Sequence, residues 1–307
     1  MCWITVHKES VNIYNDKREM VKMMKVAFVC DTGTGLTPVQ LEEYGVYGAP
    51  LQITVDDTTK LEGVEISVDE VYGLMQQGKM LKTSLASAEE CEKLFTLLKA
   101  KGYEMVFAIP ICSGLSGTIN LMRLTAENVG LKFDYYDCHC TAILERYLCI
   151  RAKELYEQGK SFDEIKMILD KTTKSANTLI VPDDLQYLSR GGRLTPMAAA
   201  LGGLLKIKPI LQINAKTQGK IDVLDKVRTS KRAMQRCIEI MQDEIEGTGK
   251  GYSITVAHVV CEEAGLSHLE MCKKAFPDAQ FKFIKLVSVV GVHTGCGCIA
   301  MQYFKEY

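Results

Sequence analysis

The chain has 307 residues, enough for one large domain or two domains of ordinary size. Hydrophobic residues make up 47% of it and charged residues 24%, with a formal net charge of −1, which is typical of globular proteins. The balanced charge, without basic runs interleaved with aromatic residues, argues against a nucleic-acid partner. No apolar run reaches the length of a membrane span, so no integral membrane segment is expected.

Residues 1–24 differ from the rest, because they are polar and only weakly periodic. We interpret them as a leader of unknown role. They lack the apolar stretch of a signal peptide, which predicts a cytoplasmic protein. In that compartment the twelve cysteines are expected to stay reduced and to act mostly as small buried hydrophobic residues.

Residues 25–172 alternate strand-like and helix-like segments. "KVAFVC" (25–30), "EMVFAIPI" (104–111) and "FDYYD" (133–137) are predicted strands. Capping-box patterns, which predict helix N-termini, occur at Ser67-x-x-Glu70, Ser87-x-x-Glu90 and in "SFDE" from Ser161. This alternation favours an N-terminal α/β domain with a mostly parallel sheet.

Residues 173–307 have more strand candidates, several of them close in sequence. The candidates are "TLIVP", "ILQIN", "IDVLDKV", "SITVAHV", "FKFIKLV" and "CIAMQYF". Helical stretches are predicted near 230–246 and 264–275, and "NAKTQGKI" is typical of a hairpin loop. The expected C-terminal domain is therefore α/β with a mixed or antiparallel sheet, and the fold class is α/β with two domains.

The segment "DTGTG" at 31–35 is similar to two known motifs, those of aspartic proteases and of sugar-kinase phosphate loops. A second D-T-G, needed for a pair of carboxylates, is absent, and so are further nucleotide-binding motifs. We therefore favour a strand-to-loop turn at the crevice where the sheet order reverses.

Three further segments combine glycines with polar or basic residues. "KTSLAS" (82–87) and "CSGLSGT" (112–118) could bind an anion at a helix N-terminus or simply cap that helix. "LSRGGRLTP" (188–196) places two arginines around a glycine pair, which suits a carboxylate or phosphate, although the spacing alone favours a solvated loop. "MAAALGGLL" (197–205) could line a narrow tunnel or form a core helix.

The segment "GVHTGCGC" (291–298) places His293 between a predicted strand and a glycine-rich turn, hence in a loop. Cys296 and Cys298 could form a metal or redox site with Cys138, His139 and Cys140 only if the two loops met in space. Zinc needs four ligands, and neither loop has the C-x-x-C spacing that would make the signal strong. A phosphoryl-transfer or sugar-handling enzyme using His293, with the loop 113–116 binding phosphate, is another alternative that the spacing leaves open.

Taken in order from about Met24 to the C-terminus, "KTSLAS", "ICSGLSGT", "VPDDLQYLSRGGRL", "LLKIKPIL", "KVRTSKRA" and "GVHTGCGC" resemble the DegV family of bacterial fatty-acid-binding proteins. The resemblance implies two α/β domains with a lipid between them. It implies a carrier rather than an enzyme, with no cofactor. The implied ligand is a long-chain fatty acid such as palmitate or oleate, and the implied partner is a separate fatty acid kinase that forms the acyl phosphate.

The resemblance also implies roles for individual residues. Thr83, Ser113 and His293 match the family positions around the fatty acid carboxylate, and Arg193 matches a basic residue that faces the kinase. The chain departs from the family pattern at four cysteines, which are Cys112, Cys138, Cys296 and Cys298. None of these departures removes an implied carboxylate ligand.

Overall fold

A computed structural model describes residues 24–200 and 207–307. The predicted leader lies outside the described residues except for Met24, and so do residues 201–205 of the predicted tunnel segment. The strands are β1 (Val26–Asp31), β2 (Tyr47–Ala49), β3 (Gln52–Val55), β4 (Thr58–Leu61), β5 (Leu81–Ser84), β6 (Met105–Ala108), β7 (Lys132–Tyr135), β8 (Asn177–Val181), β9 (Lys208–Ile213), β10 (Asp222–Val227), β11 (Tyr252–His258), β12 (Gln280–Lys285) and β13 (Ile299–Lys305).

The helices of the described residues lie between these strands, after a short 3₁₀ turn at Thr32–Thr34. They are α1 (Pro38–Glu43), α2 (Val68–Gln76), α3 (Ala88–Ala100), α4 (Thr118–Val129), α5 (Ala142–Glu157), α6 (Phe162–Ser175), α7 (Leu185–Gly191), α8 (Pro196–Ala199), α9 (Ser230–Glu244), α10 (Glu262–Ala275) and α11 (Ser288–Thr294).

The predicted helix starts are present in the structure. Ser67 and Ser161 form complete capping boxes at α2 and α6, and the Ser87 side chain accepts from the backbone N–H of Glu90 at α3. Each cap satisfies backbone donors that a helix N-terminus otherwise leaves without partners.

The first half of the chain forms a four-stranded sheet in the order β2-β1-β6-β7, and all its pairings are parallel. All residues of β1 and β6 are buried, as expected for central strands covered by helices on both faces. This sheet confirms the predicted parallel α/β arrangement. The chain leaves β1 toward β2 on one side and returns to β6 on the other, so a crevice opens beyond the carboxyl ends of β1 and β6.

A second, three-stranded sheet in the order β4-β3-β5 is antiparallel and was not predicted from the sequence. Its strands have four residues each and are largely half-buried or exposed, so they lack a long apolar alternation. This small sheet carries Thr83 on β5, and Glu62 follows its strand β4.

The second half forms a six-stranded sheet in the order β10-β9-β8-β13-β11-β12. It is antiparallel except for the β11–β12 pair, which agrees with the predicted mixed sheet. The two faces of this sheet pack against different parts of the molecule, as the alternate residues of strand β13 show. Ile299, Met301 and Tyr303 pack with residues of α9 and α10, whereas Ala300 and Phe304 belong to the core shared with the first half of the chain.

That shared core joins the parallel sheet to the six-stranded sheet, since the apolar cluster of Phe28 and Phe107 also contains Leu211 and Phe304. The predicted boundary between residues 172 and 173 falls inside α6. The division of the chain into two domains there stays a prediction.

Candidate ligand-binding site

Polar side chains from four separate segments meet at a small cavity between the sheets. They are Thr83 from β5, Ser116 from the turn before α4, Arg193 after α7, and His293 from the last turn of α11. The cavity has a volume of about 50 Å³. Thr83 and His293 are 210 positions apart in the sequence, yet Thr83 Oγ1 lies 2.7 Å from His293 Nε2.

The predicted loop position of His293 is wrong, because the residue lies in helix α11. The run "SVVGV" is rich in β-branched residues and suggests a continuing strand. Val287 at the helix start gives no side-chain cap. The partner that replaces the missing cap is Glu62, which is too distant in the sequence for a local pattern to reveal.

His293 is held as a neutral imidazole. Burial, and the positive charge of Arg193, lower the pKa of His293 to about 4. The ring is packed against Gly191, where an added Cβ would lie 2.3 Å from His293 Nδ1. The first glycine of "GGR" therefore makes room for the histidine. A phosphocarrier role would require an acid or base as the partner of His293. The partner of Nε2 is instead the hydroxyl of Thr83, so this contact does not favour that role.

Arg193 lies against the cavity and is half-buried. Its Nε donates to the carbonyl oxygen of Leu115 at 3.3 Å, and Nη1 donates to the carbonyl oxygen of Gly191. Gly192 ends α7 with a φ of 67°, a left-handed conformation that turns the chain before Arg193. Arg193 also lines an outer cleft of about 440 Å³, which Thr83 and His293 border as well.

The structure does not bring Ser113 to this cavity. Its side chain is exposed, and its hydroxyl donates to the carboxylate of Asp137. The backbone N–H groups of Leu115 and Ser116 both donate to the carbonyl oxygen of Cys112, and this tight turn separates the two serines of "CSGLSGT". Of these two serines it is Ser116 that lines the cavity, as Ser84 of β5 also does, and the sequence interpretation did not single out Ser116 as a carboxylate ligand.

Ser116 is tied to its neighbours by a short chain of hydrogen bonds. Its Oγ lies 2.9 Å from Thr118 Oγ1, which accepts from the backbone N–H of Ala86 at 3.3 Å. This chain connects the start of α4 to the segment "KTSLAS", so both segments contribute to one site.

A second, apolar chamber of about 40 Å³ adjoins the polar cavity. The two share the side chains of Leu115, Ile221 and Val290 as walls. Beyond these the apolar chamber lies between the start of α5 and the six-stranded sheet, where Ile143 and Ile180 line it. The cluster of Thr83, Ser116, Arg193 and His293 therefore lies at one end of an apolar space.

The structure agrees with the interpretation of "DTGTG" as a turn. Asp31, at the end of β1, is fully buried, and its carboxylate accepts from the backbone N–H groups of Gly33 at 2.7 Å and Ile111 at 3.0 Å. The side chain thus bridges the carboxyl ends of β1 and β6 across the crevice. Burial raises the pKa of Asp31 to about 7.

The cysteines do not form a metal centre within residues 24–200 and 207–307, where no group of three or more His, Cys, Asp and Glu side chains is arranged to hold an ion. Cys138 donates to the carbonyl oxygen of Cys140, and the thiol of Cys140 contacts Thr178 and Gln302. Burial raises the pKa of both thiols, so they are less reactive than exposed ones. Cys298 is buried too, and Cys296 is half-buried.

A larger cavity, of about 820 Å³, lies between α9 and α10. None of the predicted site residues lines it. It is separated from the polar cluster by the six-stranded sheet, because α9 and α10 pack on the face of β13 opposite to the shared core.

The fold is thus of the α/β class, with a polar cluster and an adjoining apolar chamber between its sheets. The chain belongs to the DegV family, since the model of that family, described as "Uncharacterised protein, DegV family", matches residues 25–306. A DegV domain-containing protein of Listeria monocytogenes is 31% identical over 283 residues, which cover 91% of this chain and 98% of the relative. One from Streptococcus pneumoniae is 32% identical over 286 residues, covering 91% and 99%.

Solved structures of the family have the same fold. The fatty acid binding DegV family protein of Streptococcus agalactiae is 29% identical, with a TM-score of 0.80 and coverage of 93% of this chain and 100% of that one. DegV of Bacillus subtilis, a fatty acid binding protein, is 27% identical with a TM-score of 0.81, covering 92% and 100%. In this chain, none of the described helices is both long and apolar enough to cross a membrane.

Proposed function

We propose that this protein binds a long-chain fatty acid in the space between its sheets and presents the carboxylate to a separate fatty acid kinase. The observation that carries the proposal is that the polar cavity lies next to the apolar chamber, with Leu115, Ile221 and Val290 lining both. An amphipathic ligand with one anionic end matches this division. The named fatty acid binding of the relatives from Streptococcus agalactiae and Bacillus subtilis supports the same ligand class.

In the proposed complex the carboxylate accepts hydrogen bonds from Thr83, Ser116 and His293, next to the guanidinium of Arg193. Ser116 replaces Ser113 in this set, because the hydroxyl of Ser113 is directed to Asp137. Bonds between an ionised acceptor and such donors are the stronger class of hydrogen bonds. A permanent cation nearby lowers the pKa of a carboxyl group, so the bound acid is expected to be ionised at neutral pH.

The acyl tail supplies most of the binding free energy. At roughly 0.8 kcal/mol per buried CH₂ group, fourteen methylenes provide on the order of 11 kcal/mol before ordering costs. The chambers of about 50 and 40 Å³ are much smaller than the roughly 300–1,000 Å³ of typical ligand sites. The apolar walls must therefore move apart when a chain such as palmitate or oleate enters.

The proposed transfer to a kinase uses the outer cleft of about 440 Å³. Thr83 and His293 border both this cleft and the inner cavity, so the cleft gives access to the carboxylate end of the ligand. Arg190, Arg193 and Lys82 also line it, and their positive charges favour an approaching phosphate group. The kinase holds the nucleotide, and this chain acts as a carrier without a cofactor.

Native mass spectrometry with lipid extraction tests the binding proposal. The purified protein is expected to carry one fatty acid per chain, or to take up palmitate or oleate after delipidation. The variant Thr83→Val, which keeps the side-chain shape, should bind roughly tenfold more weakly because it loses one hydrogen bond to a charged group.

Thr59→Val is the matched control, because Thr59 lies in the same small sheet, pairs with Thr54 and lines neither cavity. Absence of any bound or acquired fatty acid would refute the binding proposal. The kinase step is tested separately by adding a purified bacterial fatty acid kinase with ATP and trapping acyl phosphate with hydroxylamine. A negative trapping result with intact binding would refute only the kinase step.

A further inference from the structure

The N-terminus of α11 receives its cap from a distant carboxylate. The backbone N–H of Val289 donates to Glu62 Oε1 at 3.1 Å, and the hydroxyl of Ser288 donates to the same oxygen. The helix has no side-chain cap from Val287, the residue that precedes it. Glu62 therefore satisfies a backbone donor of the first turn that the local sequence leaves without a partner.

Glu62 is itself held firmly. Only 4% of it is exposed, and its other oxygen, Oε2, accepts from Thr32 Oγ1 at 2.6 Å. Thr32 Oγ1 in turn accepts from the backbone N–H of Leu51 at 3.0 Å. Burial raises the pKa of Glu62, while the hydrogen bonds donated by Ser288, Thr32 and Val289 act in the opposite direction. The carboxylate thus connects the turn after β1 to a helix that begins 226 positions after Glu62.

Helix α11 has only seven residues, and His293 lies in its last turn. At 1.5 Å per residue, about 7.5 Å separate Ser288 from His293 along the helix axis. A displacement at the first turn of so short a helix is passed on to the histidine ring. The hydroxyl of Tyr72 donates to the carbonyl oxygen of Leu286, just before the helix, so the first half of the chain holds this end at a second point.

We propose that Glu62 is a positioning residue of the ligand site, which places His293 within hydrogen-bond distance of Thr83 by capping α11. The inference rests on the proposed function in that the fatty acid carboxylate is the ligand at His293. Glu62 does not line the inner cavity, so its effect is exerted through α11. The local sequence gives no sign of this role, because the residue follows a short strand of the small sheet.

The test uses Glu62→Leu, which keeps roughly the size of the side chain but removes both acceptor oxygens, including the Oε1 that receives the bonds from Val289 and Ser288. We expect the pKa of His293, measured by NMR in fatty-acid-free protein, to rise from about 4 toward its ordinary value of 6.5, because a loosened α11 exposes the ring. Affinity for palmitate should fall roughly fivefold.

Glu164→Leu is the matched control. Glu164 completes the capping box of α6, a helix that carries no residue of the proposed site. Its replacement should lower the melting temperature slightly without changing the His293 signals or the affinity. If Glu62→Leu behaves like Glu164→Leu in both readouts, Glu62 is only a structural residue and the inference is refuted.

Ser288→Ala covers the case in which Glu62→Leu fails to fold. It removes one contact to Glu62 and leaves the bond from the Val289 N–H in place, so it should shift His293 in the same direction by a smaller amount. An unchanged histidine in this variant would also count against the inference. The NMR readout needs no ligand, so a failure of the proposed fatty acid binding would not be mistaken for a failure of this inference.

Discussion

Two polar clusters lie between secondary-structure elements of this protein, one buried and one half-buried, and they differ in how their hydrogen-bonding groups are satisfied. The carboxyl cluster consists of Asp31, Glu145 and Thr141. Asp31 accepts from two backbone N–H groups, and Glu145 accepts from Thr141 Oγ1 at 3.2 Å and from the backbone N–H of Asp31 at 3.4 Å. Asp31 and Glu145 are completely buried. The partners of these groups are parts of the chain itself.

The cavity cluster consists of Thr83, Ser116, Arg193 and His293, and its polar atoms border an internal space. Arg193 donates to two carbonyl oxygens and, among the described residues, has no carboxylate partner for its charge. The carboxyl cluster is complete without a ligand, whereas the cavity cluster offers donors and a positive charge to an anion.

The largest effect is expected for Arg193→Gln. Loss of the cation should weaken palmitate binding roughly 10- to 100-fold, the usual range for a hydrogen bond to a charged group. The pKa of His293 should rise, because Arg193 contributes to lowering it. Titration of delipidated protein with a fluorescent fatty acid and NMR of His293 measure both effects. Arg190→Gln is the control, because Arg190 lines only the outer cleft. Equal effects of both variants would contradict the assignment of the anion-binding charge to Arg193.

An intermediate effect should separate the two serines of "CSGLSGT". Ser116→Ala is expected to weaken fatty acid binding roughly five- to tenfold, since it removes one donor at the cavity. Ser113→Ala should leave the affinity unchanged and cost about 1 kcal/mol of stability, because its hydroxyl donates to Asp137. Binding isotherms and urea denaturation of both variants test this. If Ser113→Ala bound the fatty acid more weakly and Ser116→Ala did not, Ser113 rather than Ser116 would be the serine that contacts the carboxylate.

The smallest effect on binding is expected in the carboxyl cluster, where Glu145→Gln should change only the pH dependence of stability. Burial, and then the charge of Asp31, raise the pKa of Glu145 well above its ordinary value of 4.5. A folded-state pKa above the unfolded one gives stability that is complete below pH 4.5 and is lost as the pH rises. Glutamine needs no proton, so the free energy of unfolding of the variant should fall less with pH.

Melting temperatures at pH 5 and pH 8 measure this difference. Between pH 5 and pH 8 the melting temperature of the wild type should fall by a few degrees more than that of the variant. The fatty acid affinity of the variant should be unchanged. A variant that loses affinity as well would show that the two clusters are coupled. Equal pH dependence in both proteins would mean that Glu145 titrates normally in the folded state.

Local patterns were sufficient for much of the architecture. The capping serines at Ser67 and Ser161 predicted the starts of α2 and α6, and the spacing of strands predicted a parallel sheet followed by a largely antiparallel one. The interpretation of "DTGTG" as a turn also came from the residues alone. The small sheet of β3, β4 and β5 escaped detection because its strands are short and exposed on one side.

By itself, the sequence determined the α/β class, the family and the segments that contribute to the site, because helix caps, apolar periodicity and motif order are local properties of the chain. Only the tertiary structure decided that Ser116 rather than Ser113 borders the cavity, that Arg193 lies beside the imidazole, and that His293 belongs to a helix. These outcomes depend on contacts such as Thr83 with His293 and Glu62 with Val289, which join residues more than 200 positions apart. No local pattern can specify such a contact, since its free energy exists only when both segments have been brought together by the fold.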